Sequence, residues 1–234
     1  MTPYYLGGYY LIKQKPIDFG SSKSKVVCTC STCINDSLLD DWSYSWTTKN
    51  NSQIKDIKQG YQINDDTVSS IRQWVDEAFD EKKIGWVNLF EDLTKAKEYK
   101  SRFFSHLPDT KIVGIYFTED EGNILLSEFT PQGESAGSIG LYDNLSKKIH
   151  EQDSVNELFI GFDIVGVELD GSFHTFYCHD IANDLAERFG LTINQYGLFQ
   201  AIRQWQSLLD YMNDEQNGFE PVPWFICKVK LVID

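Results

Sequence analysis

Clustered cysteines are the residues whose type and spacing most directly suggest chemistry. Three lie within six residues of one another: Cys28, Cys30 and Cys33. The last two have the spacing that lets a short loop aim two thiolates at one zinc ion. A closed zinc site needs more ligands, and the other dense group of suitable side chains is His174, Cys178 and His179. One hypothesis is therefore a zinc site formed by the three cysteines and His174.

The same residue types allow other interpretations. A redox-active Cys-x-x-Cys pair is expected between a strand and a helix, and residues 34–38 do not predict a helix. Cys178, His179 and Asp180 include the groups of a cysteine nucleophile. Neighbours on a strand point to opposite faces, however, and His174 would lie about 13 Å from Cys178 along an extended strand. Buried free cysteines are also common. We therefore assign no catalytic residue and no cofactor, with zinc as the alternative.

Carboxylates are the most abundant candidate binding groups. The net charge is −14, and residues 111–234 carry −13 of it. Such a surface repels nucleic acid and anionic lipid, and it attracts a basic protein. Several carboxylates fall at predicted turns, where a partner could reach them. The candidate partner-binding residues are Glu119, Asp120, Glu121, Glu168 and Asp170.

Hydrophobic periodicity predicts strands and helices that do not alternate regularly. Strands are expected at 3–13, 111–119, 124–129, 159–169, 173–177 and 223–232, and helices at 65–83, 89–104, 179–189 and 195–213. The acidic link 119–122 is interpreted as a hairpin turn, and Lys228 and Lys230 are typical of an edge strand. The order predicts one α+β domain over 1–234, with a mixed or mainly antiparallel sheet and helices packed on one side. A weak sub-boundary falls near 105–110, and no internal repeat is visible.

Three functional hypotheses follow. The first is an acidic cytoplasmic protein that binds and inhibits a basic partner such as a cognate toxin. Its size and acidity resemble, in general character only, those of immunity proteins that neutralise bacterial toxins, and no motif carries that resemblance. The second is a small enzyme or zinc-binding protein that uses the cysteine cluster with His174, Cys178 and His179. The third is a scaffold domain without a specific ligand. The sequence has no stretch of 18 apolar residues, and its basic residues are unclustered, so no membrane or nucleic-acid partner is expected.

Overall fold

The computed structural model describes residues 3–19, 22–26, 36–37, 55, 58–81, 89–129, 141–151, 156–169, 173–176, 185–200 and 205–233. Its strands are β1 (Tyr4–Lys13), β2 (Lys15–Phe19), β3 (Ser22–Val26), β4 (Asp36–Ser37), β5 (Thr110–Thr118), β6 (Glu157–Val167), β7 (Phe173–Thr175) and β8 (Trp224–Val232). Its helices are α1 (Asp65–Asp80), α2 (Leu93–Phe103), α3 (Glu119–Ile124), α4 (Leu141–Ser146), α5 (Leu185–Phe189) and α6 (Gln206–Met212). A π-helical turn, Leu125–Phe129, continues α3, and a 3-10 turn, Glu215–Asn217, follows α6.

The central feature is an antiparallel sheet in the order β4-β1-β5-β8-β6-β7, and β2 and β3 form a separate hairpin. In a flat sheet β1 and β7 would lie about 19 Å apart, four strand spacings. Yet the rings of Tyr10 on β1 and Phe173 on β7 are only 6.5 Å apart. The sheet is therefore strongly curled. The predicted α+β class with an antiparallel sheet is confirmed.

Alternate strand residues face opposite sides of the sheet, with one core on the inner face and two on the outer face. On the inner face of the curl, Tyr10, Ile115 and Val229 share one core with Leu141 of α4. On the outer face, α1 and α2 pack over the β1–β5 side. The helices α5 and α6 pack over the β6–β8 side of the same outer face. Four of the described helices thus share the outer side, while α4 and the turn after α3 cover the inner one.

Local capping sets the starts of α1 and α2. Asn64 accepts a hydrogen bond from the Thr67 N–H at 2.8 Å and caps α1, which begins at Asp65 as predicted. Asp92 accepts from the Lys95 N–H at 2.9 Å, so α2 begins at Leu93. The expected helical start at Leu89 is wrong because Phe90, which follows it, exchanges backbone hydrogen bonds with Tyr9 of β1.

The predicted hairpin at 119–122 and its returning strand at 124–129 are wrong. Thr118 and Glu121 form a capping box: the Thr118 hydroxyl accepts from the Glu121 N–H, and the Glu121 carboxylate accepts from the Thr118 N–H. This reciprocal pair satisfies backbone donors that a helix start leaves free. The chain therefore leaves β5 directly into α3.

The terminal strand β8 lies in the centre of the sheet, between β5 and β6. The prediction that Lys228 and Lys230 guard an edge is therefore wrong. The side chains of Lys228 and Lys230 are only 18% and 7% exposed, so these lysines do not simply extend into solvent. They need partners within the fold.

An internal repeat that is not visible in the sequence appears in the backbone. Both β1 and β6 bulge at a glycine with positive φ, Gly8 (137°) and Gly161 (147°). The residue after each glycine exchanges two backbone hydrogen bonds with a phenylalanine that follows a leucine. Tyr9 bonds in this way to Phe90, and Phe162 bonds to Phe199. In each case an asparagine amide, from Asn144 or Asn194, donates to the carbonyl before the glycine.

The register of the sheet follows the same repeat. Gly8 lies opposite Ile115, and Gly161 lies opposite Val229. Ile115 and Val229 are themselves partners across the β5–β8 seam. A pseudo-twofold axis therefore passes through this pair and relates β1 and β5 to β6 and β8. It also relates two halves of the chain, β1-α1-α2-β5 and β6-α5-α6-β8. In each half the Leu-Phe pair comes just before the second helix, which is α2 in the first half and α6 in the second.

Substitution of Gly161 tests the crowding at the second bulge. A Cβ there would lie 2.6 Å from Leu198 Cβ and 3.0 Å from the Phe199 carbonyl oxygen, in a backbone conformation that side chains disfavour. We expect Gly161→Ala to lower the free energy of unfolding by about 3 kcal/mol, measured by urea denaturation. The control is Gly190→Ala, where φ is 64° and nothing lies within 4 Å. It should cost about 1 kcal/mol, and equal losses in both variants would contradict the packing argument.

Candidate functional site

The predicted metal site is only partly described. Cys28, Cys30 and Cys33 lie outside the described residues, as do Cys178 and His179. His174 lies on β7, and its Nε2 is 3.0 Å from the Glu168 carboxylate. Its Nδ1 is buried and has no hydrogen-bond partner among the described residues. Among the described residues, no group of three or more potential metal ligands occurs. Zinc binding stays a prediction.

The predicted partner-binding carboxylates differ in their surroundings. Glu119 accepts a hydrogen bond from the Tyr5 hydroxyl at 2.6 Å. Glu121 accepts from Thr118 and, at 3.2 Å, from the Ile226 N–H on β8. Glu168 contacts His174, as described above, and Asp170 lies outside the described residues. Asp120 alone among the described members is exposed.

The acidic run has a structural role in addition to any binding role. Glu119, Asp120 and Glu121 form the first turn of α3, where negative charge interacts favourably with the helix dipole. Burial raises the pKa of Glu121 above its ordinary value, while its hydrogen bonds from Thr118 and Ile226 oppose that rise. Glu121 therefore joins α3 to β8 at the point where β5 has left the sheet.

The outer face also carries an ionisable network that the sequence analysis missed. It lies near the middle of the sheet and draws on four strands and the segment before β6. Its members are Tyr9, Tyr116, Glu151, Glu157, Lys228 and Lys230, and we call it the outer-face network. The alternation of lysines along β8 was the available signal, but it was interpreted as edge protection.

Two tyrosines hold the carboxylate of Glu157. The hydroxyls of Tyr9 and Tyr116 donate to its two oxygens at 3.0 and 2.8 Å, and they lie 3.3 Å from each other. The rings converge over Gly114, where a Cβ would lie 3.0 to 3.1 Å from both. The Glu157 side chain is only 4% exposed. The missing side chain of Gly114 thus makes room for a buried carboxylate clamp.

Two lysines supply the balancing charge. Lys228 and Lys230 each place Nζ 2.6 Å from Glu151, and Lys230 also lies 3.6 Å from Glu157. The Lys228 ammonium lies 3.9 Å from the centroid of the Tyr4 ring, a cation–π contact. Two carboxylates and two ammonium groups make the network neutral, so its charges are compensated within the fold.

The pKa shifts agree with a closed network. Burial raises the pKa of Tyr9 to about 12, and it raises the pKa of Tyr116 well above its ordinary value. Burial alone would raise the pKa of Glu151, but Lys228 and Lys230 hold it below 4.5. Such shifts also mark active sites, but ion-pair networks that only stabilise a fold produce them too. Because every charge here has a partner, we assign the network a structural role.

A surface groove lies beside α3 and forms the candidate functional site. Its volume is about 670 Å³, and it is lined by Asp120, Asn123, Ile124, Leu126, Ser127 and Lys148. We call it the α3 groove. Leu126 packs against the inner-face core, whereas Ile124 is 40% exposed. Lys148 donates to the Asn123 side chain at 3.2 Å. The groove therefore combines an apolar floor with an exposed carboxylate, that of Asp120, at its rim.

Comparison with known proteins finds no family model, no curated protein and no solved structure that matches the chain. Among the described helices, none is long and apolar enough to span a bilayer. The chemistry of the α3 groove is therefore the basis for a functional assignment.

Removing one lysine tests the outer-face network. Lys230→Met would leave the buried Glu157 carboxylate without its nearest cation. We expect the free energy of unfolding to fall by about 3–5 kcal/mol, the usual cost of an unpaired buried charge. The control is Lys111→Met on β5, where the side chain is half-buried. This substitution should lower the free energy of unfolding far less. Urea denaturation provides the measurement, and a cost near that of the control would show that the network contributes little.

The pH dependence of stability tests the Glu151 pairing. The folded-state pKa of Glu151 lies below 4.5, so its ionised form favours the folded state. That contribution is present above pH 4.5 and is lost as the pH falls through the folded-state pKa. We expect the stability difference between the wild type and Glu151→Gln to be largest near neutral pH and to shrink below pH 4.5. A difference that stays constant from neutral to acid pH would refute the pairing. Glu128→Gln, at an exposed position, is the control for the loss of one carboxylate.

Proposed function

We propose that the protein is an acidic cytoplasmic protein that binds a basic protein partner and inhibits it by occlusion. The observation that carries the proposal is the α3 groove, where exposed Asp120 lies beside exposed Ile124. Apolar anchors surrounded by polar groups are typical of protein interfaces. A carboxylate at the rim would suit a lysine or arginine of the partner.

Carboxylates in the second half of the chain are divided between the fold and the surface. Glu121, Glu151, Glu157 and Asp163 are partnered by hydrogen bonds or ion pairs. Asp120 and Glu128 are exposed near the α3 groove, and further exposed carboxylates lie around α5 and α6. Ile149 follows Lys148 in the chain, and its side chain is 41% exposed. The proposed docking surface is therefore the α3 groove with its immediate surroundings.

Occlusion would follow from the same chemistry. A toxin that acts on nucleic acid holds its substrate through basic residues, and carboxylates can take the place of the phosphates. Long-range attraction to a protein of net charge −14 would also speed the encounter. The partner class proposed is thus a basic toxin or another basic enzyme.

A capture experiment tests this function. Tagged wild-type protein is used to capture partners from an extract of the source cell at low and high salt, beside Asp120→Lys and Ile124→Ser. We expect a basic protein that is lost as salt rises. Each variant should weaken its binding about tenfold or more, corresponding to about 1.4 kcal/mol.

The matched control is Glu215→Lys, which makes the same charge change at an exposed position in the turn after α6. It should capture the partner as the wild type does. Capture of no basic protein would favour the scaffold hypothesis, and equal capture by all three variants would place the binding outside the α3 groove. Purified partner would then show whether binding also blocks its activity, which inhibition requires.

A further inference from the structure

A second concave site lies on the β6 side of the molecule, and it does not depend on the α3 groove. It is a cavity of about 400 Å³ between the start of β6 and the loop 192–200. Cavities that hold small ligands usually measure about 300–1,000 Å³. We call it the β6 cavity.

The loop that forms the β6 cavity is rigidly built. The Asn194 side-chain oxygen accepts from the N–H groups of Tyr196 and Leu198, and its amide donates to the Ile160 carbonyl at 2.7 Å. The bulge at Gly161 lets Leu198 approach β6 closely. The walls of the cavity are therefore formed before any ligand arrives, which reduces the entropy cost of binding.

The pseudo-twofold repeat shows how the cavity arises. At the β1 bulge, the asparagine that contacts the strand is Asn144 of α4, a helix that lies between the two halves of the repeat. At the β6 bulge the same contact comes from Asn194 in a loop. A helix thus supports one bulge and a loop supports the other, and the cavity opens beside that loop.

The lining of the β6 cavity is polar but uncharged. None of the eight described residues that line it is acidic or basic, in a chain where 24% of residues are charged. Thr192, Gln195 and Gln200 are exposed, and Tyr196 adds a phenol. Hydroxyl and amide groups both donate and accept hydrogen bonds. The lining therefore suits a neutral ligand rich in hydroxyl groups rather than a phosphate or a carboxylate.

An aromatic surface completes the site. The Phe159 side chain is 43% exposed, and its ring packs edge-on against Phe162 with centroids 5.0 Å apart. An exposed ring gives a flat apolar surface for the C–H groups of a sugar, while side-chain amides bind its hydroxyls. From this combination we infer that the β6 cavity is a binding site for a neutral saccharide.

A defined sugar panel tests the inference. The full-length protein is titrated with glucose, galactose, mannose, N-acetylglucosamine and their disaccharides cellobiose, lactose and chitobiose, and binding is followed by saturation-transfer NMR and calorimetry. We expect at least one saccharide to bind. Because the described lining of the cavity carries no charged group, the affinity for a neutral saccharide should be the same at low and high salt.

Variants locate the binding. Phe159→Ala and the double variant Gln195→Ala with Gln200→Ala should each weaken affinity about tenfold or more. The control Gln216→Ala changes an exposed glutamine in the turn after α6 and should bind as the wild type does. All changed side chains are exposed or partly exposed, and circular dichroism checks that each variant is folded.

Two outcomes would overturn the inference. One is that no saccharide in the panel binds. The other is that binding survives in both Phe159→Ala and the double glutamine variant, which would place it elsewhere. Failure here leaves the α3 groove proposal untouched, because the two sites share no residue.

Discussion

The ion pairing of two lysines on a central strand is the constraint on which the rest of the structure depends. Lys228 and Lys230 lie on β8, with β5 on one side and β6 on the other. Taking ammonium groups out of water costs several kcal/mol unless each finds a carboxylate. Glu151 and Glu157 supply them from outside β8, so the chain before β6 and the first residue of β6 must both present their side chains to the outer face. This network separates the two outer-face cores and fixes their relative position.

The sequence predicts features that depend on local periodicity and fails on those that depend on strand order. The apolar run of β5 and the helical pattern of α1 are visible in any short window, and both elements occur. The capping box at Thr118 and Glu121 was also a local signal, but the turn interpretation of its acidic residues took precedence. The central place of β8 has no local signal, because alternating lysines look the same at an edge and over buried carboxylates.

The candidate site shows the same division. Asp120 can be predicted as an exposed carboxylate from its acidic surroundings alone. The neighbouring Glu121 cannot be distinguished from it in sequence, yet its carboxylate is held by Thr118 and β8. The groove itself depends on Lys148 meeting α3 across 25 residues of chain, a tertiary contact. Sequence therefore gives the charge of the site, and only the fold gives its shape.

The self-complementary register at the β5–β8 seam has a consequence for how such a chain could arise. A protein made only of the first half would leave β5 as an open edge, and that edge could pair with its own copy around Ile115. A symmetric two-chain assembly of that kind is an ordinary homodimer. Joining two copies into one polypeptide would then free each half to diverge. The second half would acquire Lys228 and Lys230, and the first half would acquire Tyr9 and Tyr116 on the same outer face.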